Sequence, residues 1–556
     1  MTDEKPKLRI VASLEGAEVL SDGATPAATD PAPPVEPDGT IDPGLGQSTS
    51  EDSTKRDGED LAALDMDCAF LPRTDLGNAQ RFTRRYGGDF LYVEQWGWLA
   101  WDGKRWNGDE AAAILSRAVH DTIKAIAREA KAMKGSPHDV HLDEKKDVWL
   151  SDKISGWCLA SQGNAHITCV AKLAQAYLTA SPDSFDADPL AFNVDNGTLR
   201  FKKSETEPYV TFHAHQRLDR MTKITPVGYD KDALCPVYDA FLARVQPDAG
   251  MQRHLHAWAG VSLTGLPLAK MAFWYGLGRN GKGTTAEVWA HVAGDYSQSI
   301  PIESFLEQGR ARRGGEASPD IASLAGVRFL RTSEPERNAK LAEGMIKLVT
   351  GGDKISARHL NRDFFEFFPC FKLTMQGNHK PKIEGVDNGI WSRILVVPWL
   401  VTIPEEEQDT DLAAKLKAEG PGILNRLLDG LCDYLDHGLM APDSVTAATA
   451  AYREDMDPIG QFLEECTMRR EPAVNVETGK ATPFRVGAQE IFSTYVAWAK
   501  AYGERPRSHK AFSHGLTDHG IRRLKSSGIY YLGIVMTKDA SSFAGMEITD
   551  PYDRKR

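Results

Sequence analysis

Phe273-Trp274-Tyr275-Gly276-Leu277-Gly278-Arg279-Asn280-Gly281-Lys282-Gly283-Thr284 is the stretch that decides how this chain reads. The apolar, aromatic start predicts a strand, the glycines predict a loop, and Thr284 opens a predicted helix. Glycines let successive backbone N–H groups converge on one anion, and a helix start adds the positive end of its dipole. A lysine in such a loop reaches the β- and γ-phosphates of a nucleotide, and a hydroxyl at the helix start ligates Mg²⁺. The strict pattern has Ser or Thr directly after the lysine; here Gly283 intervenes and the hydroxyls follow at Thr284 and Thr285. Gly276, Gly278, Asn280, Gly281, Lys282, Gly283, Thr284 and Thr285 are therefore the expected phosphate cradle, with ATP and Mg²⁺ as its ligands.

Length and composition bound the rest. A chain of 556 residues has room for three or four domains. Its net charge of −12 excludes a general polycation, so any nucleic-acid contact must come from local basic patches. The seven cysteines are scattered without a Cys-x-x-Cys pair, which argues against a zinc site or disulfide framework and fits a reducing cytoplasm. No apolar run approaches membrane-spanning length, and Leu8 to Leu14 is too short for a signal-peptide core. A cytoplasmic protein without a membrane partner is expected.

Residues 1–60 are rich in Pro, Ala, Gly, Asp, Ser and Thr, and read as a disordered tail, with order beginning near Ala62. Leu91 to Val93 and Trp96 to Trp101 read as short aromatic strands, and 109–134 and 166–179 as amphipathic helices. Asn193 to Leu199 reads as a hairpin with an Asn196-Gly197 turn. Further on, Phe329 to Glu334 predicts a strand ending in acids, with Glu336 close by, and Phe371 to Asn378 a strand ending in an amide. In phosphate-loop enzymes a neighbouring strand must deliver a carboxylate to magnesium and to the attacking water. Arg393 follows a tight turn and precedes the strand Ile394 to Val397.

In this order the pieces resemble the phage- and plasmid-encoded primase–helicase family, whose motor belongs to superfamily 3 helicases and has relatives in poxviruses. Gly276 to Thr284 matches its Walker A motif, and Val327 to Glu336 is similar to its Walker B. Lys347 to Arg358, with Gly351-Gly352-Asp353, resembles the family's additional motif. Asn378 falls at the sensor-1 asparagine and Arg393 at the arginine finger. The resemblance covers roughly residues 65–540. It implies an α/β architecture: an AAA+-like phosphate-loop NTPase motor (236–403) behind an α+β helicase-associated domain (61–235). A helical segment (404–470) follows, and residues 471–556 read by their own pattern as a carboxy-terminal winged helix. This chain departs from the pattern at Gly283, and at Arg331, a charge inside the Walker B strand, whose end lacks a paired Asp-Glu. Family members that make primers carry a polymerase-like domain ahead of this region, where this sequence has only the expected tail, so primase activity is not expected.

The resemblance assigns catalytic roles to Lys282, Glu334, Asn378 and Arg393, and a metal-linked role to Thr284 and Glu334, with Glu336 as the other candidate carboxylate. It implies a hexameric ring in which Arg393 serves the neighbouring protomer, translocating on single-stranded DNA from 3′ to 5′ and unwinding forks. Its setting would be the bacterial cytoplasm, in phage, prophage or plasmid replication beside other replication proteins. A hairpin after Gly352-Asp353 would grip one strand through Lys354, Arg358 or His359, although Arg358 is equally placed to pair with Asp353 or Asp363. In the carboxy-terminal segment Ser508 reads as a helix N-cap, Lys525 to Gly528 as a wing-like turn between strands Ile521 to Leu524 and Tyr530 to Val535, and Arg507, Lys510, Arg522, Arg523 and Lys525 as phosphate contacts. Two rivals stand beside the helicase: a DNA-binding initiator that uses ATP only as a switch, and a small-molecule kinase, since Gly-Lys-Gly-Thr also occurs in adenylate kinases.

Overall fold

Five short strands form the central sheet of the computed structural model, which describes residues 50–143, 145–203, 209–307, 318–337, 339–358, 363–385, 388–474 and 481–544. They are β1 (Met271–Tyr275), β2 (Ser297–Ile300), β3 (Phe329–Thr332), β4 (Lys372–Gly377) and β5 (Ile394–Pro398). Helix α1 (Lys282–Ala293) joins β1 to β2. The order is β2–β3–β4–β1–β5 and every neighbouring pair is parallel. A parallel sheet is covered on both faces, so strands such as Met-Ala-Phe-Trp-Tyr run apolar without alternation. Trp274, Phe329 and Val397 enter one core with Trp289 of α1 and Trp399; Phe273, Leu330, Met375 and Val396 enter the other. The Trp274 ring lies 5.3 Å from that of Trp289 and 5.0 Å from that of Trp399.

The first face is covered by helices Pro236–Val245, Ala249–Val261 and Gly420–His437, and the second by Asp443–Asp455. The hairpin Ala191–Val194/Gly197–Phe201, extended by Val210–His213, joins the first core. Arg328 fixes it there, donating from Nη1 to the carbonyls of Ala191 (2.7 Å) and Leu263 (2.8 Å). The hairpin differs from expectation in one detail. Val194 pairs with Gly197, so Asp195-Asn196 makes the turn, and Gly197 is the first residue of the returning strand. Its glycine is required by packing: a Cβ there would lie 2.5 Å from the Phe212 ring and 2.4 Å from the His213 carbonyl oxygen.

Ahead of this block, helices Asp75–Tyr86, Ala111–Met133, Leu150–Ala160 and Asn164–Leu178 enclose a separate core beside the meander Phe90–Val93, Gly97–Trp101, Trp106–Asn107. A buried ion cluster pins it, with Glu129 accepting from Arg81 (2.7 Å) and Arg85 (2.9 Å). The chain divides into Met1–Ala62 and Ala63–Arg556. Residues 1–49 of the expected tail lie outside the described residues, and the backbone is helical from Ser50 (Ser50–Ala69), ahead of the start expected near Ala62.

At the other terminus, helices Pro458–Cys466, Ala488–Ala501 and His509–Asp518 pack on an antiparallel sheet ordered Arg485–Gly487, Ile529–Leu532, Arg522–Lys525. Ser508 caps the third helix, its hydroxyl accepting from the Ala511 N–H at 3.3 Å. The strand expected from Tyr530 to Val535 is broken in two at Gly533, whose φ is +79°.

Candidate functional site

In a parallel sheet the loops that leave the carboxyl ends of the strands gather at one edge, where ligands of open α/β folds bind. Here β4 lies between β3 and β1, so the residue after β4 is flanked by the loops after the other two. That residue is Asn378. Its backbone N–H and its Nδ2 donate to the two carboxylate oxygens of Glu334, at 2.5 and 3.3 Å. Its Oδ1 accepts from Lys282 Nζ at 3.2 Å. Lys282 also donates to the Gly276 carbonyl at 2.6 Å.

The glycine loop ahead of this lysine turns through left-handed backbone. Gly278, Arg279 and Gly281 have φ of +98°, +50° and +81°, a conformation that favours glycine. Asn280 is buried and donates from Nδ2 to the Trp399 carbonyl at 3.1 Å, which ties the loop to the end of β5. Helix α1 starts at Lys282, so the N–H groups of its first turn have no intrahelical acceptor and face the loop. Lys282 is 6% exposed. Burial holds its ammonium below the usual amine range, and the nearby Glu334 charge partly offsets that shift.

A cleft of about 290 Å³ opens beside this group, lined in part by Lys282, Gly283, Glu334, Gln376 and Gly377. Ser299, Glu287, Arg331, Thr332 and Ser333 complete its wall. Arg331 is the charge that stands out inside an apolar strand; Glu287 and Ser299 carry no such signal in the sequence. Glu334 lines the cleft and contacts Asn378, whereas Glu336 does neither. Thr284 is half-buried in the first helical turn. Thr285 is turned away: it is fully buried and its hydroxyl donates to the Gly281 carbonyl at 2.9 Å.

Arg393 lies elsewhere. It precedes β5, and the Ile394–Met271 register puts it at the amino ends of the strands, opposite the cleft. There its Nε donates to Thr350 Oγ1 at 3.0 Å and its Nη1 to the Gly389 carbonyl. The segment after Gly352-Asp353 is a hairpin, Ile355–Ala357 paired with Phe365–Phe367. Lys354 sits 3.8 Å from Glu366 and 5.3 Å from the Phe368 ring centroid, and Arg358 lies 4.8 Å from that of Phe364. His359 lies outside the described residues. Lys510, Arg522, Arg523 and Lys525 are exposed on the carboxy-terminal unit, while Arg507 is half-buried with its N–H on Tyr495 Oη at 3.3 Å.

The architecture is a mixed α/β fold whose parallel sheet carries a lysine–amide–carboxylate cluster at one edge. Residues 79–247 match the family described as D5 N terminal like. "Putative helicase L207/L206" of Acanthamoeba polyphaga mimivirus is 29% identical over 250 residues, 42% of this chain and 26% of that protein. "Putative helicase 022R" of Frog virus 3 is 31% identical over 260 residues, again 42% and 26%. The chain thus spans about a quarter of the length of these curated relatives. The solved apo structure of the NrS-1 C-terminal region aligns over 61% of this chain and 94% of its own, at 11% identity and a TM-score of 0.33. The D5-type domain and the viral matches together make this chain a relative of the primase–helicase family. Among the described residues no helix is long and apolar enough to cross a membrane.

Proposed function

We propose that the chain is an ATP-dependent DNA helicase of the superfamily 3 type, built on an AAA+-like phosphate-loop motor and acting as a hexameric ring in phage, prophage or plasmid replication. The observation that carries this reading is the meeting of Lys282, Asn378 and Glu334 at one edge of the sheet. The donor set fits a nucleoside triphosphate. Lys282 and Gly283, at the start of α1, line the cleft, so the ammonium and the positive end of the helix dipole bear on it, and Glu334 lines it too. Thr284 and Glu334 would hold Mg²⁺, which when bound neutralises charge on the phosphates.

The chain's own residues then divide the work. Lys282 binds the terminal phosphates with the donor that Gly276 and Asn378 leave free. Asn378 keeps the Glu334 carboxylate oriented through two hydrogen bonds, so that Glu334 can position the attacking water. Arg393 faces away from its own cleft, which suits a residue that completes the site of the next subunit in a head-to-tail ring. The names of the viral relatives support a helicase over a small-molecule kinase. Single-stranded and forked DNA would be the track. The hairpin bearing Lys354 and Arg358 supplies one contact, and the carboxy-terminal unit, which we read as a winged helix, the other, through its exposed lysines and arginines. Both contacts are to phosphate and should weaken steeply with salt.

Steady-state ATP hydrolysis with and without single-stranded DNA, wild type against Lys282→Ala, tests the reading. DNA-stimulated turnover that disappears in the variant is expected. Turnover indifferent to DNA would return the kinase, and tight nucleotide binding without turnover would return the ATP-switched initiator.

A further inference from the structure

Arg331 is the cation of the cleft that the proposed mechanism leaves unused. It sits in the middle of β3, where Leu330 and Thr332 are buried, and its side chain is 14% exposed. A guanidinium in that position is expensive to bury, and this one is incompletely satisfied. Nη1 donates to Glu287 Oε1 at 2.6 Å, while Nε is buried without a hydrogen-bond partner. Glu287 belongs to α1 and is 71% exposed, so its half of the pair is solvated and screened. Such a pair is a weak bond to break. A phosphate offers the same guanidinium a planar, bidentate, charge-assisted contact instead.

Both residues line the cleft together with Lys282, Gly283 and Glu334. Gly283, which lines the same cleft, is the position where the usual loop has a hydroxyl and this chain has none. We propose that Arg331 is a second phosphate-binding cation of this cleft, held by Glu287 until a polyphosphate chain displaces that carboxylate. The arginine would then serve the nucleotide bound by its own subunit, whereas Arg393 would serve the neighbour's. The inference rests on the nucleotide reading of the cleft.

Equilibrium binding of a fluorescent N-methylanthraniloyl ATP, competed by inorganic tripolyphosphate in EDTA-containing buffer, separates the two claims. Wild type, Lys282→Ala, Arg331→Gln and Glu287→Gln would be compared, with a thermal melt of each. Arg331→Gln should weaken both ligands by about tenfold or more. Glu287→Gln should tighten both, by up to about fivefold, because the competing carboxylate is gone. Opposite signs are the signature, since a merely structural ion pair would move both variants the same way. Equal affinity in wild type and Glu287→Gln, or weaker binding in Glu287→Gln, would overturn the proposal even if Arg331→Gln fails to fold. If wild type binds nucleotide and Lys282→Ala does not, the cleft reading stands whatever Arg331 does. If wild type binds neither ligand, both fall.

Discussion

Two buried lysines stand at opposite ends of the central sheet, and they differ in what they have left over. Lys372 opens β4 and is fully buried; its Nζ donates to the carbonyls of Thr264 (2.6 Å), Cys370 (2.8 Å) and Leu266 (3.0 Å). An ammonium has three donors, and all three are spent. Lys282, at the carboxyl end of β1, spends two, on Gly276 and Asn378, and borders a cleft. Burial lowers both, Lys372 to about 7, while Glu334 partly offsets the shift at Lys282. A buried cation is therefore not by itself a site; an unspent donor facing an opening is what separates chemistry from structure. Arg393 sits at the Lys372 end but is half-buried, with two named contacts for a group that has five donors.

The largest effect should come from Arg393. If it completes a neighbour's site, Arg393→Ala loses roughly 10³–10⁵ in turnover by assembled protein. Mixing it with Lys282→Ala should restore part of that loss, because a mixed interface pairs an intact loop with an intact arginine. Normal turnover by Arg393→Ala would make that whole end of the sheet structural. Lys282→Ala should lose about 10²–10³ in kcat, the usual cost of removing one preorganised donor at a reacting phosphate. Its melting temperature should fall less than that of a variant that strips three carbonyls, since it releases one buried carbonyl, that of Gly276.

Lys372→Met should do the reverse. Three carbonyls lose their donor at once, at a cost of about 1–3 kcal/mol for each one left buried and unpaired. The melting temperature falls, and turnover per folded molecule at low temperature is unchanged. The same lysine gives a pH test. With its folded value near 7 and an ordinary amine value unfolded, the unfolded chain binds the extra proton between those limits. Stability from this group therefore rises as pH climbs from about 7 toward 10 and is lost as pH falls back through 7. The melting-temperature gap between wild type and Lys372→Met should widen with pH over that window. A flat gap would mean that the three carbonyls hold the ammonium charged throughout.

The glycine loop, the strands on either side of Lys282 and the candidates Glu334 and Asn378 could be read from sequence because each is a local pattern: an apolar run followed by a residue of special chemistry. Two kinds of information were not local. Strand order puts β4 between β3 and β1, and that insertion, which no run of residues encodes, brings Asn378 against both Lys282 and Glu334. Side-chain direction was the other. Thr285 looked like a ligand by adjacency, yet it sits one residue round the helix from Thr284 and points into the core. Glu287 is an ordinary surface glutamate until β3 presents Arg331 to it. The Asn196-Gly197 turn misled for a related reason, since its glycine answers to Phe212 on a third strand rather than to the turn.

Two glycines carry the comparison down to its smallest scale. Gly265 stands between Thr264 and Leu266, whose carbonyls hold Lys372, and donates its own N–H to the Pro189 carbonyl at 2.7 Å. A Cβ on Gly265 would lie 3.0 Å from the Pro189 Cα and Cβ, and neither atom can swing away. Gly265→Ala should therefore cost about 1–3 kcal/mol as overpacking, read as a lower melting temperature, and should weaken the seat of Lys372 with it. A Cβ on Gly283 meets nothing within 4 Å, and its position in the first turn of α1 has no positive φ to protect. Gly283→Ser should raise the melting temperature slightly, since serine is a few tenths of a kcal/mol better than glycine in a helix. It also puts a hydroxyl directly after the lysine, so the double variant Gly283→Ser/Thr284→Ala should recover turnover that Thr284→Ala alone loses. Failure of that rescue would mean that the hydroxyl one place later is not an equivalent of the usual one, and that the open space beside Gly283 belongs to some other group of the cleft.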